Sequence, residues 1–178
     1  MKQKLDFIIK EDDSKRIIFR FYPRRSHCHS FNDAPPKSWD EVYKVYYHYS
    51  ILLQHKKTTS TDKVQYCTET LFESLTDECS VIDAFANVCK LVSSNSFEVK
   101  KPDDKFEQLL FDEFSPQGDG VSWRILDVAS HDNPFYEIQL FNRMHCGYRF
   151  YMCPSQLKSF AEYLLSCCEY MLTHGESI

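Results

Sequence analysis

The stretch Phe135-Tyr-Glu-Ile-Gln-Leu-Phe141 decides the fold class of this chain. Its even-numbered positions are apolar and polar residues interrupt the odd ones, which is the period of a half-buried β-strand. The stretch Tyr148-Arg-Phe-Tyr-Met-Cys153 repeats the alternation after a short polar connection. The two stretches therefore predict an antiparallel hairpin, in which Gly147 takes a positive φ angle at the end of the turn.

The segments on either side of this hairpin extend it into a module. Val121–Ala129 predicts a third strand, separated from the second by a run of turn-forming residues. After Cys153 the period changes, and Pro154 suits the first turn of a helix. Apolar residues then recur at spacings of three and four, namely Leu157, Phe160, Ala161, Leu164, Cys167, Cys168 and Met171. The C-terminal third is thus predicted to be a β-β-β-α module.

The first part of the chain predicts a second set of elements. Lys4–Lys10 and Arg16–Tyr22 alternate as an opening hairpin. The capping-box sequence Ser38-Trp-Asp-Glu41 and the apolar spacing after it predict a helix that runs to Leu52. Val81–Val92 predicts a further helix, and Asp103–Phe114 fits either a short helix or an extended acidic strand.

Together these elements predict one α+β domain over residues 1–178. It would contain an antiparallel sheet of about five strands and three to four helices. A chain of 178 residues with 43% hydrophobic content buries roughly 70% of its unfolded surface in one core. No internal repeat is apparent in the sequence.

The charge and the cysteine content of the chain reduce the number of functional classes to which it can belong. The chain carries 21 Lys and Arg against 26 Asp and Glu, a formal charge of -5, which disfavours non-specific binding to nucleic acid and suits a basic partner. No signal peptide and no membrane-spanning run are apparent, so the eight cysteines are predicted to be free thiols of a cytoplasmic protein. Four of them lie at or near apolar helical positions, namely Cys79, Cys89, Cys167 and Cys168, and the last three of these are predicted to be buried and unbridged.

Histidines and cysteines provide the only candidates for metal or nucleophile chemistry. His27-Cys28-His29 contains three potential ligands of a transition metal, but a zinc site needs further ligands from distant residues such as His131, His145 and Cys146. No Cys-x-x-Cys or His-Glu-x-x-His motif supports such a site. We therefore predict no metal, no cofactor and no catalytic residue. An enzyme with a cryptic Cys/His site stays an alternative.

A second alternative rests on the arginines of the opening hairpin. Guanidinium groups can contact phosphates while aromatic rings stack on bases. The arginines concerned are Arg16, Arg20, Arg24 and Arg25, and the interleaved rings are Phe19, Phe21 and Tyr22. The alternation places Phe19 and Phe21 on the face opposite Arg20, so these two rings are predicted to be core residues. The alternative function is a nucleic-acid-associated regulatory module.

The acidic segment gives the predicted partner-binding surface. Carboxylates accelerate the encounter with a basic protein, and buried aromatic anchors supply affinity. The residues predicted to bind the partner are Asp103, Asp104, Glu107, Phe111, Asp112, Glu113 and Asp119. The competing interpretation of the same segment is an amphipathic helix that packs on the sheet with its acidic side in water.

The C-terminal sequence resembles that of a known class of small proteins. Gly147–Leu164, a strand that runs directly into a terminal helix, is similar to the endings of bacterial immunity proteins that neutralise toxins of contact-dependent inhibition. This resemblance implies an acidic, cytoplasmic, non-enzymatic protein that binds one cognate toxin, often a basic nuclease, and blocks its active site. It assigns no functional residue, because such families share no fixed binding motif.

Overall fold

The structure, a computed structural model, contains two antiparallel sheets of four strands, and each sheet is followed in the chain by one helix. It describes residues 5–27, 43–58, 64–76, 79–94, 108–115, 120–128, 135–142 and 147–174. In this part of the chain, neither helix is long and apolar enough to cross a membrane.

Each half of the chain has the order β-β-β-β-α. Sheet A has the strand order β1-β2-β3-β4 and sheet B has the order β5-β6-β7-β8, so chain neighbours are paired throughout. In sheet A the strands are β1 (Leu5–Glu11), β2 (Lys15–His27), β3 (Tyr43–Thr58) and β4 (Val64–Thr76), and α1 (Ser80–Ser93) follows. In sheet B they are β5 (Gln108–Ser115), β6 (Val121–Asp127), β7 (Tyr136–Asn142) and β8 (Gly147–Met152), and α2 (Pro154–His174) follows.

The mixed α+β class predicted from the sequence is confirmed, with different counts of elements. The described residues form eight strands and two helices, where about five strands and three to four helices were predicted. The opening hairpin, α1 and the C-terminal strands and helix lie where the alternation placed them. The segment Asp103–Phe114 is resolved in favour of the extended alternative from Gln108 onwards, and β5 adds a fourth strand to the C-terminal module.

The predicted helix after Ser38 is wrong, because Tyr43–Thr58 forms the long strand β3. Its tyrosines and branched residues favour strands, although their spacing also fits a helix. Within β3, Tyr47, Tyr49 and Ile51 alternate on the face that points to the core. The strand is selected because it pairs on both sides, with β2 and with β4. The capping-box residues lie outside the described residues.

Trp123 lies at the centre of a core that both sheets share. Its side chain is fully buried, and its ring centroid is 5.4 Å from Tyr49 and 6.3 Å from Phe19 in sheet A. The ring of Phe85 in α1 is 5.2 Å away. One hydrophobic cluster therefore includes the inner faces of both sheets and the apolar stripes of both helices.

Each helix packs a phenylalanine against the sheet of the other half. Phe85 of α1 packs edge-on against Phe111 of β5, with ring centroids 5.5 Å apart. Phe160 of α2 lies 5.1 Å from Phe7 of β1 and 5.4 Å from Phe19 of β2. The two halves are thus related as a topological repeat that the sequence did not reveal. Phe160 also packs against Phe150 of β8, with ring centroids 5.8 Å apart, so α2 contacts both sheets and the two halves bury their apolar surfaces in one core.

The buried thiols are positioned as the helical spacing predicted. Cys89, Cys167 and Cys168 are buried, and these cysteines are free. Burial raises the pKa of the Cys89 and Cys168 thiols, and raises that of Cys167 to about 12. Thiols that stay protonated near neutral pH behave as small apolar side chains and do not act as nucleophiles.

Gly147 serves a different purpose from the one predicted. Its φ angle is not in the left-handed region, whereas that of Gly120, at the start of sheet B's second strand, is 65°. A Cβ atom at Gly147 would collide with the carbonyl oxygen of Leu140 and with the ring of Phe141 across the hairpin. Glycine is therefore required there because the neighbouring strand approaches closely.

Candidate binding surface

The residues predicted to bind a partner fall into two groups. Asp103, Asp104, Glu107 and Asp119 lie outside the described residues. Phe111, Asp112 and Glu113 lie in the edge strand β5. The ring of Phe111 points inward and packs on Phe85, so it anchors the strand to the core. Asp112 and Glu113 are exposed.

A row of polar side chains crosses all four strands on the face of sheet B that points away from the core. The strand register places Asp112, Arg124, Gln139 and Arg149 next to one another in that order. Arg124 donates from Nε to Asp112 Oδ1 at 2.8 Å. The Arg149 side chain is 61% exposed. The row thus presents two arginines from alternate strands, and the backbones of β6 and β8 are about 10 Å apart.

The adjacent row contains a carboxylate that is buried even though it lies on this outward side. Its members, in strand order, are Leu109, Leu126, Glu137 and Tyr151. Glu137 accepts a hydrogen bond from Gln139 Nε2 at 2.6 Å and lies 3.6 Å from Arg149 Nη1. A hydrogen bond to Glu137 raises the pKa of the Tyr151 hydroxyl. Glu137 therefore orients both Arg149 and Tyr151.

Large apolar side chains surround these polar groups. Leu109 is 54% exposed and Tyr151 is 53% exposed, at opposite ends of one row. On the other side of the polar row, Phe114 is 46% exposed and Phe141 is half-buried. We call the surface formed by these three rows the outer face of sheet B; its positions are Leu109, Leu126, Glu137, Tyr151, Asp112, Arg124, Gln139, Arg149, Phe114, Ser122, Phe141 and Gly147.

The outer face of sheet B carries ion pairs and exposed rings. Its three rows contain neither histidine nor cysteine, so they hold no imidazole base and no thiol nucleophile. Arg124 and Asp112 form one ion pair, and Arg149 and Glu137 form another. The face therefore combines paired charges with exposed rings and is electrically close to neutral.

The arginines of the opening hairpin are engaged within sheet A. Arg20 donates to both carboxylate oxygens of Asp6, at 2.7 and 2.8 Å. Arg16 donates to Gln54 Oε1 at 2.6 Å and lies over the ring of Tyr66. Phe19 and Phe21 are buried, so their assignment to the core is confirmed. Arg24 and Arg25 belong to β2, but their side chains lie outside the description.

The proposed Cys/His chemistry falls largely outside the described residues. His27 ends β2, whereas Cys28, His29, His131, His145 and Cys146 are not described. Within the described ranges, no group of three or more metal-ligating side chains comes together. The thiol of Cys153, at the start of α2, has a lowered pKa because it is hydrogen-bonded to Ser155.

Comparisons with known proteins assign no family. No family model matches this chain, and no curated protein matches it. One solved structure with a similar backbone path is titled "Structure of the plant transcriptional regulator PBF-2". The likeness covers 97% of this chain and 90% of that one, with 10% identity and a TM-score of 0.30. A similarity at that level does not bear on function.

Sequence reasoning identified part of β5 but missed Arg124, Arg149 and Tyr151 as surface residues. The signal was present in the alternation, since these residues occupy the positions between the buried ones of β6 and β8. The alternation of apolar and polar residues predicts which face of a strand a residue occupies. It does not state which strands are neighbours, so it could not place the two arginines in one row.

Proposed function

We propose that this protein is a non-enzymatic inhibitor that binds a cognate protein toxin through the outer face of sheet B and the neighbouring edge strand β5. The observation that carries the proposal is the exposure of large apolar side chains around paired charges on one open sheet face. The identity of the partner as a toxin rests on the resemblance of the C-terminal sequence to immunity proteins.

The composition of the face supports a protein partner. Tyrosine, phenylalanine and arginine are the residues most enriched at the centres of protein interfaces, because large rigid groups bury much area at low entropic cost. Arg124 and Arg149 each have a carboxylate beside them, so a partner need not supply a charge for every arginine. Leu109 and Tyr151 would act as apolar anchors at the two ends of the row.

The edge strand supports the same proposal in a second way. Among the described strands β5 pairs with β6 alone, so the strand's other edge offers backbone donors and acceptors to an added strand. Glu113 brings negative charge to this edge, whereas the charge of Asp112 is paired with that of Arg124. If Asp103, Asp104, Glu107 and Asp119 lie beside it, the combined charge would steer a basic toxin toward the strand.

The first experiment tests whether a gene beside this one encodes a toxin, and whether this chain neutralises that toxin when both are produced in the same cells. The intact chain should restore growth, and the double variant Leu109→Ala/Tyr151→Ala should fail to do so. Loss of two exposed anchors should weaken toxin binding by about 30-fold or more, the effect of losing one interface hot spot. The binding constant is measured with the purified proteins by titration calorimetry.

A matched control separates loss of the interface from loss of the fold. Leu172 on α2 is 77% exposed and lies away from sheet B's outer face, so Leu172→Ala should protect cells as well as the parent does. All variants should have the far-ultraviolet spectrum of the parent. Full protection by a correctly folded Leu109→Ala/Tyr151→Ala variant would refute this surface as the inhibitory one.

A second candidate function, binding of single-stranded nucleic acid, is favoured by one observation on the same face. Arg124 and Arg149 alternate with the rings of Phe141 and Tyr151, and aromatic rings on an open sheet stack on bases while arginines contact phosphates. The neighbouring carboxylates and the net charge of -5 oppose this function. We therefore place it second.

Fluorescence anisotropy with labelled single-stranded oligonucleotides distinguishes the two functions. A nucleic-acid surface should bind more weakly as salt rises, and Arg149→Gln should reduce the slope of that dependence by about one unit. Our first proposal expects no salt-dependent binding of this kind. Tight binding that Arg149→Gln weakens and Lys158→Gln, on α2, leaves unchanged would favour the nucleic-acid function.

A further inference from the structure

Among the described strands, the first half of β4 forms an open edge of sheet A, whereas the surface proposed above belongs to sheet B. Every residue from Val64 to Thr70 is exposed, whereas the later residues Phe72, Ser74 and Thr76 are buried. β3 pairs with one side of β4, and β4 ends the sheet on the other side. The exposed half is Val64-Gln-Tyr-Cys-Thr-Glu-Thr70.

Among the described residues, this half of the edge carries few of the features by which soluble proteins prevent edge-to-edge pairing, and the bulge of β4 lies just beyond it, at Leu71. Such edges usually carry lysine, proline or a bulge, or are covered by another element. The segment Val64–Thr70 contains neither proline nor lysine and only one charged residue, Glu69. Its valine, tyrosine and threonines favour extended structure. The edge is thus chemically suited to accept another strand.

Contacts across sheet A hold this edge in a defined shape. Arg16 donates to Gln54 Oε1, and Gln54 Nε2 donates to Thr68 Oγ1 at 3.1 Å. The guanidinium carbon of Arg16 lies 4.0 Å from the ring centroid of Tyr66. Three strands are thereby joined on one face, and two alternate side chains of β4 are fixed. An ordered edge loses less conformational entropy on pairing than a mobile one.

We propose that β4 pairs with β4 of a second copy of this chain, antiparallel, about a two-fold axis that passes midway between the two Cys67 residues. The pairing would join two copies of sheet A into one continuous sheet of eight strands. A two-fold axis perpendicular to the sheet keeps equivalent faces on the same side, and it places one residue opposite itself.

The side chains select Cys67 as that central residue. With Cys67 at the centre, Val64 faces Thr70 of the second copy, Gln65 faces Glu69, and Tyr66 faces Thr68. These are a pair of branched side chains, an amide with a carboxylate, and an aromatic ring with threonine, all of which are favourable across strands. A centre at Glu69 would place two carboxylates opposite each other. A centre at Thr68 would require the buried Phe72 to face Val64.

The contact involves one short strand from each copy, so it buries less area than a typical permanent interface. The dimer is therefore expected to be weak and to depend on concentration. The two Cys67 Cα atoms would be about 4.5 to 5.5 Å apart, as in any directly opposed antiparallel pair. Cys67 is exposed and free, so its thiol reports on this geometry.

Sedimentation velocity of the full chain under reducing conditions, across a series of concentrations, tests the proposal. The parent should shift from monomer to dimer as concentration rises. Cys67→Lys places two like charges opposite each other and should weaken the dimer about tenfold or more. An equimolar mixture of Cys67→Lys and Cys67→Glu should recover the dimer, because the opposed charges then attract.

Two further variants make the result specific to this edge. His55 faces Cys67 from β3 and is exposed, so His55→Lys adds the same charge to the same hairpin away from the edge and should leave the dimer intact. A short bismaleimide should join two parent chains, and Cys67→Ser should abolish the cross-link while retaining the sedimenting dimer. A parent that stays monomeric, a dimer that Cys67→Lys does not weaken, a mixture that stays monomeric or a cross-link that survives Cys67→Ser would each overturn the proposal.

Discussion

Replacing Trp123 by alanine should lower the free energy of unfolding by about 3 to 5 kcal/mol, the usual cost of removing a fully buried aromatic side chain. The ring touches both sheets and α1, through Phe19, Tyr49 and Phe85. Loss of the ring would leave a cavity at the point where sheet A, sheet B and α1 meet. Urea unfolding followed by circular dichroism measures the change.

Two companion variants keep this prediction testable if Trp123→Ala fails to fold. The indole N–H of Trp123 is buried without a hydrogen-bond partner in the described part of the chain, so Trp123→Phe removes no hydrogen bond and should cost less than alanine. Phe114→Ala removes an exposed ring from the same sheet and should change stability by less than about 1 kcal/mol. Equal losses for Phe114→Ala and Trp123→Ala would contradict the shared core.

Replacing Gly147 by alanine should destabilise the chain by about 1 to 3 kcal/mol, the range observed when an added methyl group has no space. The new Cβ would meet the carbonyl oxygen of Leu140, which belongs to the paired strand and cannot rotate away. The hairpin of β7 and β8 would have to separate, and α2 begins directly after β8. Urea unfolding again measures the effect.

A double variant identifies which neighbour causes the cost. Phe141→Ala removes the ring that also blocks the added methyl group but leaves the carbonyl of Leu140 in place. If the backbone is the obstacle, Gly147→Ala should remain costly in the Phe141→Ala background. Complete recovery there would assign the whole effect to the ring. As a control, Ser122→Ala in the same row should change stability by no more than about 0.5 kcal/mol.

The predicted inhibitory surface and the dimer edge lie on different sheets, which allows them to be tested separately. Leu109 and Tyr151 belong to sheet B, and Cys67 belongs to sheet A. Cys67→Lys should therefore leave toxin binding by the monomer intact. Conversely, Leu109→Ala/Tyr151→Ala should leave the association of two copies unchanged.

Local pattern was sufficient wherever one period dominated. The alternation in β7 and β8, and the spacing of three and four in α2, place these elements within one or two residues of their observed ends. Pattern was insufficient in Tyr43–Thr58, where apolar residues fit both periods. There the pairing of β3 with two neighbouring strands decided in favour of a strand, and such pairing is non-local.

The sequence by itself determined which side of β1, β2, β7 and β8 faces the core, and it determined the two helices that are described. It also placed Phe19, Phe21 and the helical cysteines inside, because the spacing of apolar residues along a strand or helix predicts which face is buried. Only the tertiary structure decided that the described strands form two sheets. It also decided that Phe85 and Phe160 each pack on the sheet of the other half, and that Arg124 and Arg149 share a row. These features depend on contacts between residues far apart in the chain, and a local period contains no information about which distant strand will be the neighbour.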